Sequence, residues 1–248
     1  MAQAQVTYGK RLVDVLDLHW YPEAQGGGIR ITGDDMSPAV VAARLQAPRS
    51  LWDPTYNESS WIQSSIGGPI QLIPMLKAKI AAHYPGTKLA FTEYNYGAGG
   101  DISGGIAQAD VLGIFGQQGV FAANMWGLSS VTYIDGAFQM YQDPAGNGTK
   151  VGDTSVSTVD SDTVNTSAYG FANSRNEVDA VVINKTAFPM TTTIQITHPV
   201  SLHSVKVYQL TSASASTQFA GTFRVQNNLY QYTMPAYSVS TLVFQKAM

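Results

Sequence analysis

Glu93 has the setting that points most directly to chemistry in this chain of 248 residues. It lies near the end of the run Leu89-Ala90-Phe91-Thr92-Glu93-Tyr94. Pro85-Gly86 precedes that run and Gly97-Ala98-Gly99-Gly100 follows it. A carboxylate at the C-terminal mouth of a parallel strand stands where barrel and open α/β active sites are built. Such a group can attack carbon or carry a proton. It can equally close a strand-end ion pair, and position alone does not separate the two.

Aromatic residues gather around the same strand ends. Trp20 and Tyr21 close a candidate strand at 13–20, Tyr94 and Tyr96 the second, and Trp126 a third at 120–126. Rings collected at one end of adjacent strands form a platform for the apolar faces of sugars, and interleaved His19 and Asn124 can bond hydroxyls. Any one ring could simply plug a core, but the set favours a sugar site. Glu23, in a Pro-Glu-Ala setting, suits a loop-based substrate contact. The aromatic segment 49–56 with Trp61 reads as a long loop, the kind that carries function. Within it Trp52 is either an outlying sugar contact or a ring packed under its own loop. Gly26-Gly27-Gly28 and the glycines at 97–100 read as loops that clear a substrate.

Other chemistries lack their residues. The chain has no cysteine, which removes disulfides and thiolate sites together. Its four histidines, His19, His83, His198 and His203, show no paired spacing for a catalytic metal. No Gly-x-Ser-x-Gly elbow, P-loop or dinucleotide fingerprint occurs. The formal net charge of −3, without blocks of like charge, argues against a nucleic-acid partner. No apolar run reaches membrane-spanning length, and residues 1–12 carry no secretory apolar core, so either the protein is cytoplasmic or its export signal lies outside this chain. No cofactor is required. A structural calcium could be held in the polar loop of Asp143, Asn147 and Asp153, where a solvated turn is the simpler reading.

These residues need elements to position them. Helical spacing at 70–83 stops at Tyr84-Pro85-Gly86; a second helix is expected at 102–115 with Ser103 as N-cap, and a shorter one at 136–143. Strand and helix thus alternate as in a parallel sheet or barrel. Beyond about residue 145 the apolar period falls to two, and Ser, Thr and Val dominate. Candidate strands there are 151–159, 168–173, 177–184, 191–197, 204–210, 221–225 and 230–244 with a break at Pro235, and 212–217 reads as a linker. The fold class is therefore α/β plus all-β: over residues 1–145 either a smaller open parallel sheet or the C-terminal part of a larger barrel, and over 146–248 an antiparallel β-sandwich. A whole eight-unit barrel takes about 250 residues, and only three units are visible.

The strings LDLHWYPEA, RSLWDPTY with SWI, YPGTKLAFTEYNYG, and ISGGIAQADVLGIFG with VFAANMW resemble glycoside hydrolase family 44 over nearly all of residues 13–128. That resemblance implies a (β/α)8 barrel with an attached β-sandwich, and endo-acting retaining cleavage of β-1,4-glucans, xyloglucan and in some members xylan. It assigns Glu93 as nucleophile on strand seven, places His19, Trp20 and Tyr21 on strand six, and ends strand eight at Trp126. The family's acid/base glutamate belongs to strand four, at least roughly 90 residues before Glu93. The resemblance therefore implies that strands one to five lie outside this chain, that a missing N-terminal half is its partner, and that the chain alone is inactive. It also implies a secreted enzyme whose substrate is a β-glucan. A non-catalytic carbohydrate-binding or purely structural fragment is the alternative.

Overall fold

The computed structural model describes residues 2–127, 131–174 and 177–246. In chain order the first elements are α1 (Ala2–Tyr8), β1 (Val15–Trp20), β2 (Gln25–Gly26), β3 (Ile29–Arg30), α2 (Pro38–Gln46), a 3-10 helix (Ala47–Leu51), α3 (Trp61–Ile66), α4 (Leu72–His83) and β4 (Lys88–Tyr94). They are followed by α5 (Ile102–Gln117), β5 (Ala122–Met125) and α6 (Thr132–Gln142). The strands of the second half are β6 (Thr154–Val156), β7 (Thr166–Ala172), β8 (Val178–Asn184), β9 (Met190–Gln195), β10 (Leu202–Thr211), β11 (Ser214–Arg224), β12 (Leu229–Met234) and β13 (Ser238–Lys246).

The chain forms two compact units. One holds the residues up to Gly97 with those from Ile114 through Trp126; the other holds Ala98–Gly113 and the residues from Val131 onward.

In the first unit a parallel sheet runs in the order β1-β4-β5. Leu16 pairs with Leu89 and Leu18 with Phe91; Leu89 and Phe91 are buried, and Phe91 stacks on Phe115 with centroids 5.2 Å apart. Apolar runs at these positions follow from covering a parallel sheet. Asp17 and His19 are exceptions, two exposed polar residues alternating along one face of β1. Helix α4 starts at Leu72 because Gln71 adopts a left-handed φ of 46°. It ends at Tyr84, ahead of Pro85-Gly86.

In the second unit, α5 is capped by Asp101, whose Oδ1 accepts the Ser103 N–H at 2.7 Å, so Ser103 is not the N-cap. A six-stranded antiparallel sheet, β11-β10-β13-β8-β7-β6, shares a core with the two-stranded sheet β12-β9. Val205 and Val207 of β10, Leu242 and Phe244 of β13, and Tyr230, Tyr232 and Met234 of β12 alternate inward. Helix α6 lies against the six-stranded sheet: Thr241 donates to the Met140 carbonyl at 2.7 Å, and a Cβ on Gly136 would meet the Ala215 carbonyl at 2.2 Å. The expected linker at 212–217 is a hairpin turn leading into β11. Its Ser, Ala and Thr residues belong to an edge strand with one neighbour, which needs little apolar content. No helix among the described residues is long and apolar enough to cross a membrane.

Candidate active site

The β4 strand carries a bulge one residue before Glu93. Leu18 faces Phe91, yet the next residue, His19, faces Glu93. The ladder with β5 slips over the same stretch, between Phe91 opposite Ala123 and Tyr94 opposite Met125. A bulge leaves one residue outside the ladder and re-aims its neighbours. Here that residue is Thr92, and Asp17 satisfies it. The Thr92 N–H donates to Asp17 Oδ1 at 3.1 Å, and its hydroxyl lies 2.8 and 2.7 Å from the two carboxylate oxygens.

The bulge brings Glu93 beside two polar groups. Tyr21 donates its hydroxyl to Glu93 Oε2 at 2.9 Å, and His19 Nδ1 lies 3.1 Å from the same oxygen. Among the described residues Oε1 takes no hydrogen bond, and the Glu93 side chain stays 27% exposed. Burial, then the hydrogen bond and the charge of Glu93, push the Tyr21 phenol above its ordinary range, so the phenol keeps its proton and remains a donor. The result is a carboxylate tethered through one oxygen and open at the other.

The loops behind this pair are tightly tied. Glu23, expected to meet substrate, closes an ion pair with Arg30 at 2.7 Å and stays partly exposed. Arg44, fully buried, donates to the carbonyls of Ile31, Gly33, Asp35 and Tyr96 at 3.0–3.2 Å. Sequence reading singles out neither arginine, nor Asp17. The polar pair Asp17 and His19 inside an apolar parallel strand is the available signal.

The aromatic platform is smaller than expected. Trp20, Tyr94 and Tyr96 are core residues, 8%, 0% and 2% exposed. Trp20 pairs with Tyr94 directly after the His19–Glu93 pair, so both rings point to the opposite side of the sheet. There Tyr94 packs edge-on against Phe115, and Trp20 Nε1 donates to the Tyr96 hydroxyl at 3.1 Å. Trp126 does remain available. Its ring is 62% exposed, and its backbone is held to the tip of β4, its N–H to the Tyr94 carbonyl at 3.0 Å and its carbonyl to Asn95 Nδ2 at 2.6 Å.

Trp52 is half-buried just after the 3-10 helix. The expected long loop is more ordered than its composition suggests. Arg49 pairs with Asp53 at 2.8 Å and stacks on Tyr56, and Ser60 caps α3. Gly97 and Gly26 serve close backbone packing, whereas Gly28 faces open space. A Cβ on Gly97, at φ 77°, would lie 2.3 Å from the Ile31 carbonyl, and one on Gly26 would lie 2.0 Å from that of Ala39.

No cluster of three or more His, Asp or Glu able to hold a metal occurs among the described residues. In the loop considered for calcium, Asp143 Oδ1 accepts the N–H groups of Asn147 and Gly148, each at 2.8 Å, while Asp153 contacts Thr154.

With this geometry in place, comparison with known proteins gives the class. No family model matches the chain. Endoglucanase A of Paenibacillus lautus is 42% identical over 99% of this chain and 36% of its own length. The beta-mannanase/endoglucanase A of Caldicellulosiruptor saccharolyticus is 41% identical over 96% of this chain and 19% of its own. A xyloglucanase of glycoside hydrolase family 44 from Paenibacillus polymyxa, solved with xyloglucan, superposes over the whole chain with a TM-score of 0.95 and 40% identity. The chain belongs to glycoside hydrolase family 44. It spans half or less of the length of each of these relatives.

Proposed function

We propose that this chain is the C-terminal half of a secreted, retaining endo-β-1,4-glucanase, supplying the nucleophile Glu93 and strands six to eight of the barrel. In this reading β1, β4 and β5 are those strands, and the antiparallel second half is the attached sandwich. The observation that carries the reading is the free Oε1 of Glu93 at the mouth of a parallel strand, with Tyr21 and His19 gathered on Oε2. Identity above 40% to two endoglucanases over nearly the full chain supports a β-glucan as substrate, and likeness to a xyloglucanase and to a bifunctional glucanase-xylanase extends the class to xyloglucan and xylan. Such polymers are cleaved outside the cell.

A retaining mechanism needs two carboxyl groups about 5–5.5 Å apart. Glu93 Oε1 attacks the anomeric carbon while an acid from the other half of the protein protonates the departing oxygen. The glycosyl ester on Glu93 is then opened by water activated by that same second carboxylate. Tyr21 and His19 hold the carboxylate at one oxygen so that the other keeps its line of attack. Trp126 offers an exposed face for a sugar ring beside the strand tip.

The test is hydrolysis of soluble β-glucan by this chain alone and by the chain combined with the other half. Activity in the combined protein only, abolished by Glu93→Gln, is the expected result. Binding without hydrolysis in the combined protein would make the chain a carbohydrate-binding module instead.

A further inference from the structure

The loop that carries Tyr21 is held by one side chain from outside the sheet. Arg30, on β3, donates through Nε to the Pro22 carbonyl at 3.0 Å and through Nη2 to the Tyr21 carbonyl at 3.2 Å. The same Nη2 meets Glu23 Oε1 at 2.7 Å. One guanidinium thus ties three consecutive residues, 21 to 23. A planar fork does this with little loss of freedom, and an ammonium cannot reproduce it.

Arg30 itself has a firm base. The β2–β3 hairpin turns at Gly27 and Gly28, with φ of 59° and 82°, and Gly26 packs against the backbone of α2. Its flanks are tied down as well: the Ile31 N–H donates to the Ala24 carbonyl at 3.0 Å, and the Gln25 N–H to the Ser59 carbonyl at 2.9 Å. The next residue, Ile31, is completely buried.

We propose that Arg30 is a positioning residue for the glucanase reaction: with Glu23 it fixes the 21–23 turn so that the Tyr21 hydroxyl stays on Glu93 Oε2 and Oε1 is left to attack. This rests on the assignment of Glu93 as nucleophile. Arg30 contacts the 21–23 turn and not Glu93, and its effect runs through Tyr21. Glu23 neutralises the guanidinium and orients it, which gives that carboxylate a role other than substrate contact.

The test is a double-mutant cycle in the intact two-half enzyme. Arg30→Gln is expected to lower kcat about tenfold with KM within about twofold, as displacement of a group beside the reacting atoms does. In a Tyr21→Phe background, Arg30→Gln is expected to change kcat less than about twofold further, because the group it positions is already gone. Titration of the Tyr21 phenol, followed by NMR of labelled tyrosine, is expected to move toward the ordinary tyrosine range in Arg30→Gln. Where Arg30→Gln fails to fold, Arg30→Lys carries the same cycle. Fully additive losses, a change in KM alone, or an unmoved Tyr21 titration would overturn the proposal. Glu93→Gln, run alongside, separates the two levels: retained hydrolysis in that variant sinks the nucleophile assignment itself, whereas its loss with additive Arg30 and Tyr21 effects sinks only the role of Arg30.

Discussion

Asp17 and Thr92 are joined by three short contacts across the β1–β4 ladder: the Asp17 carboxylate takes the Thr92 N–H at 3.1 Å and its hydroxyl at 2.8 and 2.7 Å. Without that carboxylate the Thr92 backbone donor, left outside the ladder by the bulge, would have to turn to solvent. Thr92 directly precedes Glu93, so this contact sets where the catalytic candidate points.

Asp17→Ala is therefore expected to lower kcat of the intact enzyme by about tenfold to a hundredfold with a modest change in KM. Asp17→Asn, which keeps an acceptor for the Thr92 N–H, should recover much of the loss. Steady-state kinetics of the two variants checks this; equal, near-parental kcat in both would remove Asp17 from the account.

Trp126 is the exposed ring fixed to the tip of β4. Trp126→Ala is expected to raise KM for β-glucan by about fivefold to a hundredfold, corresponding to about 1–3 kcal/mol of stacking and burial. Tyr94→Phe, a change inside the core, should leave KM nearly unmoved. Kinetics on soluble glucan separates them.

The contrast between those two rings shows what the sequence can and cannot reveal. The three parallel strands are legible because short apolar runs bounded by Pro and Gly fit little besides strands covered on both faces. Which face each aromatic occupies is also implicit: once His19 and Glu93 point to one side, period two sends Trp20 and Tyr94 to the other. The bulge is not legible, since it depends on pairing with β1 and β5 rather than on the β4 residues alone. Arg44 is hidden for a similar reason, because its carbonyl partners lie 9 to 52 residues away in the chain. Helix α2 does carry a helical signal, Pro38 at its first turn followed by Ala39, Ala42, Ala43, Arg44, Leu45 and Gln46, although the adjacent valines interrupt it. The first residues of edge strand β11, 214–217, are Ser, Ala and Thr and read as a linker, whereas its far end falls in the expected strand at 221–225.

Asp179, on β8, gives a pH prediction. Burial raises its carboxyl to about 6; the Gly152 N–H, at 2.9 Å, opposes the shift and the charge of Glu177 adds to it. Against an ordinary value of 3.8, the folded state binds the proton more tightly than the unfolded one. The contribution of Asp179 to stability is thus greatest below about pH 4, falls as pH rises through the window from 3.8 to about 6, and is level above it. The loss is on the order of 3 kcal/mol. Asp179→Asn is expected to flatten this slope and to be stabilising at pH 7.5 relative to the parent. Denaturant unfolding at pH 4 and 7.5 measures the difference, and an unchanged slope would contradict the assignment.

Trapping of the glycosyl intermediate identifies the attacking carboxylate without relying on kinetics. The intact enzyme would be treated with a 2-deoxy-2-fluoro-β-cellobioside bearing a dinitrophenyl leaving group, whose departure needs no acid, and the labelled peptide sequenced by mass spectrometry. One glycosyl ester is expected, on Glu93. A label on another carboxylate, or a product of inverted anomeric configuration with no label at all, would contradict it.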